Sequence, residues 1–251
     1  MSSPKDGMKT YTSAQVREAE KPLLAAGVPL MARASAALAA QTRTLLTQSG
    51  IAPDSARVLT LVGAGDNGGD ALFASAILAS DGATVTIVRT GTRVHEGGLT
   101  AALAAGAALV NPGGAATPVE TETVTTDYPE RVALIAEAAG QTDVILDGIL
   151  GTGTSSNPAL RGFARDVVAG ILPVIDRGHG HPLVVAVDLP SGVGADDGAV
   201  PDSTVLAATI TVTFGGCKSG LLIEPAVHFA GTVIVADIGL GPELERVAAR
   251  G

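Results

Sequence analysis

Three apolar β-type runs in this chain each end in an acidic or amide side chain and then in glycine. That repetition constrains the fold more than any single motif. Val58-Leu59-Thr60-Leu61-Val62 runs into Gly63-Ala64-Gly65-Asp66-Asn67-Gly68-Gly69-Asp70, Val144-Ile145-Leu146 into Asp147-Gly148, and Val184-Val185-Ala186-Val187 into Asp188-Leu189-Pro190-Ser191-Gly192. Helix-forming stretches alternate with such runs, and alternating strand and helix gives a parallel sheet covered on both faces. Ligands of open parallel sheets bind beyond the carboxyl ends of the strands. The three polar tips therefore predict one shared site.

The expected elements begin with a helix over 13–26, N-capped by Ser13, with Glu18 and Glu20 near its start and Gly27 at its end. Pro29 opens a second, Ala- and Leu-rich helix over 29–48. These two helices should pack across the first strand or against a partner. Strands are then expected at 57–62, 83–88, 107–110, 143–147, 182–188, 207–214 and 231–237, with helices at about 68–80, 97–106, 128–139 and 158–171 and a short one at the end. Residues 111–127, made of Gly, Pro, Thr and Glu, read as a surface loop. No internal repeat or linker interrupts the pattern, so a single domain over residues 1–251 is expected.

Composition narrows the classes of function. Aromatic residues make up 2% of the chain, so the core must be built from Ala, Val, Leu and Ile, and their scarcity argues against stacking platforms for single-stranded nucleic acid. A net charge of −9 without any Lys/Arg cluster argues against a phosphate-backbone partner. A small anion can still be held by amides and helix ends. One cysteine, Cys217, excludes a disulfide framework or a thiolate metal site, reads as a packed thiol, and suits an intracellular, cytoplasmic protein. No apolar run approaches the roughly 20 residues that span a bilayer, and the first residues lack an apolar signal core, so no membrane association is expected.

Gly63-x-Gly65-x-x-Gly68 stands between a strand and a helix, as a dinucleotide fingerprint would. The acidic residue expected at the end of the next strand, to hold a ribose hydroxyl, is replaced by Arg89. Asp66 and Asp70 would also repel a pyrophosphate unless a cation intervened, and Asn67 offers such a cation an uncharged oxygen. The plain alternative for Asp70 is stabilisation of the first helical turn. Asp147 precedes Gly151-Thr152-Gly153-Thr154-Ser155-Ser156-Asn157, whose amides and hydroxyls could hold a phosphate at a helix opened by Pro158, or hold nothing. Asp188 ends the most apolar strand, where a carboxylate is costly unless paired or used; the alternative is an Asx turn. Lys218 could reach an anionic ligand or be solvated, and His179 and His181 read as an exposed loop rather than a metal site.

The segments GAGDNGGDALFA, DGILGTG, VAVDLPSGVGADDG and TVTFGGCKSGLL, in this order, resemble the NAD(P)H-hydrate epimerase family, the YjeF-type amino-terminal domain. The resemblance runs from Tyr11-Thr12-Ser13 to Ala236-Asp237-Ile238-Gly239. It implies a Rossmann-like three-layer α/β/α sandwich with a mostly parallel central sheet, usually homodimeric. It implies interconversion of the R and S forms of hydrated NADH and NADPH (NADHX and NADPHX) and one bound potassium ion per subunit. By this resemblance Asn67, Asp147 and Ser191 would hold the ion. Asp66, Asn67, Gly68, Gly69, Asp70, Gly151, Thr152, Gly153, Thr154, Ser155, Ser156, Asn157 and Asp188 would hold the substrate. The chain departs from the family pattern at Asp66 (usually Asn), at Ala71 (usually Gly) and in Leu30-Met31-Ala32-Arg33-Ala34-Ser35 (usually Leu-Met-Glu-x-Ala-Gly). Family members often carry a dehydratase domain, which no segment here resembles.

The chemistry so implied is modest. The ring nitrogen can expel a protonated hydroxyl from the neighbouring carbon, and water can return on the opposite face. One carboxyl that donates and then accepts a proton would suffice, and Asp188 is the expected group. Two rival readings are a non-catalytic dimeric module that binds a nucleotide or a protein, favoured by Asp66, and a nicotinamide-dependent oxidoreductase, disfavoured by Arg89.

Overall fold

The computed structural model describes residues 8–110, 128–153, 157–177 and 182–250. The surface loop expected at 111–127, residues 154–156, and His179 and His181 lie outside the described residues. In chain order the elements are β1 (Thr10–Tyr11), α1 (Ser13–Ala25), α2 (Leu30–Gln48), β2 (Arg57–Val62), α3 (Asp66–Ser80), β3 (Thr84–Arg89), α4 (Glu96–Ala104), β4 (Ala108–Leu109), α5 (Tyr128–Gly140), β5 (Val144–Gly148), α6 (Gly162–Arg177), β6 (Leu183–Val187), β7 (Ile210–Phe214), β8 (Cys217–Lys218), β9 (Thr232–Ala236) and α7 (Gly241–Ala248).

The central sheet has the order β4-β3-β2-β5-β6-β7-β9, with every neighbouring pair parallel. Its strands leave β2 in one direction through β3 and β4, and β5 then starts the other half. The order reverses between β2 and β5, which is where a doubly wound sheet opens its ligand crevice. Successive side chains point to opposite faces, as the two-residue period of a strand requires. Val58, Val62, Leu146 and Val185 pack with Leu38, Leu46 and Leu72 of α2 and α3. Leu59, Leu61, Ile145 and Val184 pack with Ile135, Val167 and Ile171 of α5 and α6. Each such fully buried side chain contributes about 1.5–3 kcal/mol relative to exposure. The sandwich is therefore a three-layer α/β/α one.

Several boundaries differ from those read in the sequence. Thr12, not Ser13, caps α1: its hydroxyl accepts from Gln15 N at 3.2 Å, and the Gln15 side chain accepts from Thr12 N at 2.9 Å. That reciprocal capping box leaves Ser13 to bond Asp196 instead, through Oγ to Oδ2 at 2.9 Å. Pro158 does not open α6. Asn157 Oδ1 accepts from Ala159 N at 3.1 Å in an Asx turn, and Pro158 and Leu160 are buried. Helical bonding then begins only at Gly162 and runs through Pro173 to Arg177. The two-residue strands β1 and β8 form a small parallel sheet of their own that the sequence pattern did not announce. Arg33, in the α2 segment that departs from the family pattern at Ala32 and Ser35, donates from Nη1 to Ile238 O at 2.9 Å and ties the helix to the exit of β9.

Candidate functional site

The crevice is built on close backbone approach. A Cβ at Gly63 would stand 1.8 Å from Ile149 O, and one at Gly68 would stand 2.3 Å from Gly63 O. Glycine at these positions lets α3 start against the end of β5. The Ala71 departure fits the same contact from the other side: its methyl faces Gly148, where a second Cβ would lie 2.6 Å away.

Asn67, in the first turn of α3, is buried and points across the crevice. Its Nδ2 donates to Val187 O at 2.5 Å and to Leu150 O at 3.2 Å, linking the ends of β2, β5 and β6. Asp147 is buried at the end of β5. Ser191 N donates to its Oδ2 at 2.8 Å and Ser191 Oγ to its Oδ1 at 2.6 Å. Ser191 Oγ also accepts from Leu150 N at 2.9 Å. Burial pushes the Asp147 carboxyl above the usual carboxylate range, and these donors pull it back. The structure thus brings the three acid-tipped strand ends together.

Asp188 follows β6 with φ +67, a left-handed backbone on a side-chain-bearing residue. The turn brings its carboxyl against the end of β7. Oδ1 accepts from Thr213 Oγ1 at 3.0 Å, from Phe214 N at 3.1 Å and from Lys218 Nζ. Lys218 is itself buried, and its ammonium also donates to Phe214 O at 3.0 Å. Neither of the sequence alternatives holds here: Asp188 does not cap its own turn, and Lys218 is not solvated. It is a buried partner of Asp188. Cys217, beside it, is buried among Leu189, Leu221 and Val233, as a packed thiol would be.

Asp70 lies in the second turn of α3, so it does not serve the first turn. It is buried, and its Oδ1 has no hydrogen-bond partner among the described residues. Burial, then the charges of Asp188, Asp66 and Glu20, push its carboxyl up to about 8, against an opposing pull from Lys218. Burial likewise raises Glu20, which faces the same groups from α1.

Two adjoining cavities open on these residues. One, of about 420 Å³, lies between Gly65, Asp66, Asn67 and Arg93 on one side and Leu150 to Gly153 on the other. The second, of about 230 Å³, has Glu20, Asp66, Asp70 and Phe214 in an otherwise apolar wall from α1 and α2. Asp66, exposed at the start of α3, lines both. Gly68 and Gly69 are buried in α3 beneath them. Asn157 sits apart, in a neighbouring hollow with Ser13, Asp196 and Asp197 that shares only Thr152 with the first cavity. Thr154, Ser155 and Ser156 lie outside the described residues. Sequence reasoning placed none of Thr213, Glu20, Arg93 or Arg17 in the site; Arg17 Nη1 donates to Thr152 O at 3.2 Å.

The donor set around Asp147 fits a monovalent cation. It consists of oxygens only, and the one carboxylate is met by neutral donors alone. Asn67 Oδ1 lies on the opposite side of its amide from the two carbonyls and against Gly151, where a Cβ would come within 2.2 Å. Among the described residues no three His, Cys, Asp or Glu side chains gather as a metal cluster.

The doubly wound sheet, with a glycine-built crevice at its switch point, buried acids on two strand ends and a third in the helix that follows β2, defines a nucleotide-handling α/β domain. Residues 27–220 match the family described as YjeF-related protein N-terminus, and the chain belongs to that family. It is 47% identical over 240 residues to the NAD(P)H-hydrate epimerase of Clavibacter michiganensis subsp. michiganensis, covering 96% of this chain and 94% of that protein. It is 31% identical over 244 residues to the bifunctional NAD(P)H-hydrate repair enzyme Nnr of Pyrobaculum aerophilum, of which it covers 44%. The crystal structure of yeast ynu0 shares the fold, with a TM-score of 0.64 at 18% identity over 85% of this chain and 83% of that one.

Proposed function

We infer that this chain is an isomerase, an NAD(P)H-hydrate epimerase that interconverts the R and S forms of NADHX and NADPHX. The observation that carries the reading is the convergence of Asn67, Asp147 and Asp188 on one crevice, in a chain that is 47% identical to an epimerase along nearly its whole length. The substrate's hydroxylated carbon adjoins the ring nitrogen. Loss of the protonated hydroxyl leaves a planar cation, and water added to the opposite face gives the other epimer. We assign the proton from that water to Asp188, whose geometry as the acceptor of an ammonium and two further donors is that of a carboxylate base.

Asn67, Asp147 and Ser191 would hold one potassium ion, which supplies fixed positive charge beside the crevice when bound. The cavity between Asp66, Arg93 and Gly151 to Gly153 suits the nucleotide's phosphates, with the Arg93 guanidinium offsetting the Asp66 charge. The whole chain acts as one domain, residues 1–251, in the cytoplasm. Among the described residues no single helix is long and apolar enough to cross a membrane. An apolar hollow between α1, α2 and α3, around Leu24, Val28, Met31 and Phe73, supports a homodimer through the amino-terminal helices. A dehydratase acting on the S form is the expected partner activity.

The test is a pure R hydrate incubated with protein in potassium buffer, with the R:S ratio followed by chromatography. The ratio should relax to equilibrium much faster than without protein. A ratio that drifts only at the uncatalysed rate overturns the reading, and an Asp188→Asn protein that epimerises normally overturns the role of Asp188.

A further inference from the structure

We propose that Asp70 is the acid of the reaction: its carboxyl delivers the proton with which the substrate hydroxyl leaves, while Asp188 accepts the proton of the incoming water. This rests on the epimerase reading and supplies the half of the proton transfer that Asp188 is poorly disposed to perform. Asp188 Oδ1 already accepts from Lys218, Thr213 and Phe214, and a carboxylate in a buried ion pair is an acceptor.

Asp70 has the complementary surroundings. Its side chain lines the smaller cavity, is 7% exposed, and carries the buried Oδ1 without a partner. Phe214 connects the two acids: it lines Asp70's cavity, and its N–H donates to Asp188. Glu20 from α1, Asp66 from the start of α3 and Asp188 from the end of β6 face Asp70 with negative charge, against the Lys218 ammonium from β8. With burial as the first cause, they keep the carboxyl protonated to about 8, so it holds a proton to give at neutral pH. Leu30, Met31 and Ile238 complete a wall suited to a flat ring.

The step balances. The carbon–oxygen bond breaks with its electron pair on oxygen, which takes the Asp70 proton and departs as water. The nitrogen lone pair forms a carbon–nitrogen double bond. Water then adds on the other face, its oxygen forms the new bond, the double-bond pair returns to nitrogen, and its proton passes to Asp188. One proton has moved from Asp70 to Asp188, and either the reverse turnover or exchange with solvent returns it.

The experiment compares wild type with Asp70→Asn and Asp70→Glu in potassium buffer, together with infrared spectra at neutral pH. Loss of a general acid should lower the Asp70→Asn kcat by about 100-fold or more, with KM changed less than about threefold. Asp70→Glu should recover part of kcat. Wild-type kcat should fall as pH rises through about 8, and that limb should vanish from the residual activity of Asp70→Asn. The wild-type spectrum should contain a protonated-carboxyl band that Asp70→Asn lacks, a readout independent of turnover. An Asp70→Asn enzyme within about threefold of wild-type kcat, an alkaline limb that survives the substitution, or an unchanged carboxyl band overturns the assignment. A wild type that leaves pure R hydrate unchanged overturns the epimerase reading itself, so the two failures are distinct.

Discussion

Asp147 and Asp188 end adjacent strands of one sheet, and the fold treats them oppositely. Both are buried, at 1% and 6% exposure, where a bare carboxylate is costly. Asp147 is met by Ser191 and by backbone N–H groups, all neutral. Asp188 has an ammonium in the Lys218 side chain, itself 2% exposed. One end of the crevice carries its own counter-charge, and at the other the carboxylate is met by neutral donors alone. On the roles proposed above, that difference would separate a carboxylate for proton transfer from one for an ion.

The largest effect should come from breaking the self-contained end. Lys218→Met leaves Asp188 buried and unpaired, which costs about 3–5 kcal/mol, measured by urea unfolding. Lys218→Met combined with Asp188→Asn, which suits the left-handed backbone and still accepts from Thr213 and Phe214, should recover most of that stability and none of the activity. A single variant as stable as wild type would remove the contrast between the two ends.

Next is the pH dependence set by Asp70, the third buried acid. Its carboxyl titrates near 8 in the fold against 3.8 ordinarily, so above the lower value the unfolded chain gives up the proton first. The stability linked to this group is complete below about pH 4 and is lost as pH rises through about 8. Asp70→Asn should therefore be more stable than wild type by on the order of 3–4 kcal/mol near pH 7, with the gain fading toward pH 4. Paired melts across pH check both sign and window.

A smaller effect belongs to the open end. Potassium at about 100 times its dissociation constant should stabilise wild type by about 2.7 kcal/mol relative to choline at equal ionic strength. Asp147→Asn should blunt that response while Asp188→Asn leaves it intact. Equal melting in the two salts would sink the assignment of an ion to Asp147. The smallest expected change is Thr213→Val, which removes one of three donors to Asp188 and costs about 1 kcal/mol, visible as a small shift in midpoint.

Much of the sheet was legible because its strands are uninterrupted apolar runs. β2 matches its expected limits of 57–62, and β5 and β6 lie within one residue of theirs. The crevice was legible for the same reason, since acid and glycine mark where each buried run ends. What pairs with those acids was not legible. Lys218 reaches Asp188 across 30 residues, and β1 and β8 are two residues each, too short for a periodic signal. The start of α6 was misplaced because proline and asparagine serve equally in an Asx turn and at a helix entrance; only the inward packing of Pro158 and Leu160 separates the two. Thr12 and Ser13 are both good caps, and it is Asp196, far away in sequence, that claims the serine.

The left-handed turn at Asp188 carries an evolutionary consequence. Among L residues, Asp and Asn adopt that backbone most readily, glycine adopts it freely, and a β-branched or bulky replacement there costs on the order of 1–3 kcal/mol. The substitutions that position tolerates most easily are thus the ones that erase its charge. Each of those substitutions strands the buried Lys218 ammonium, so lineages that lose the reaction through this codon should persist as intact scaffolds only where Lys218 has been replaced as well.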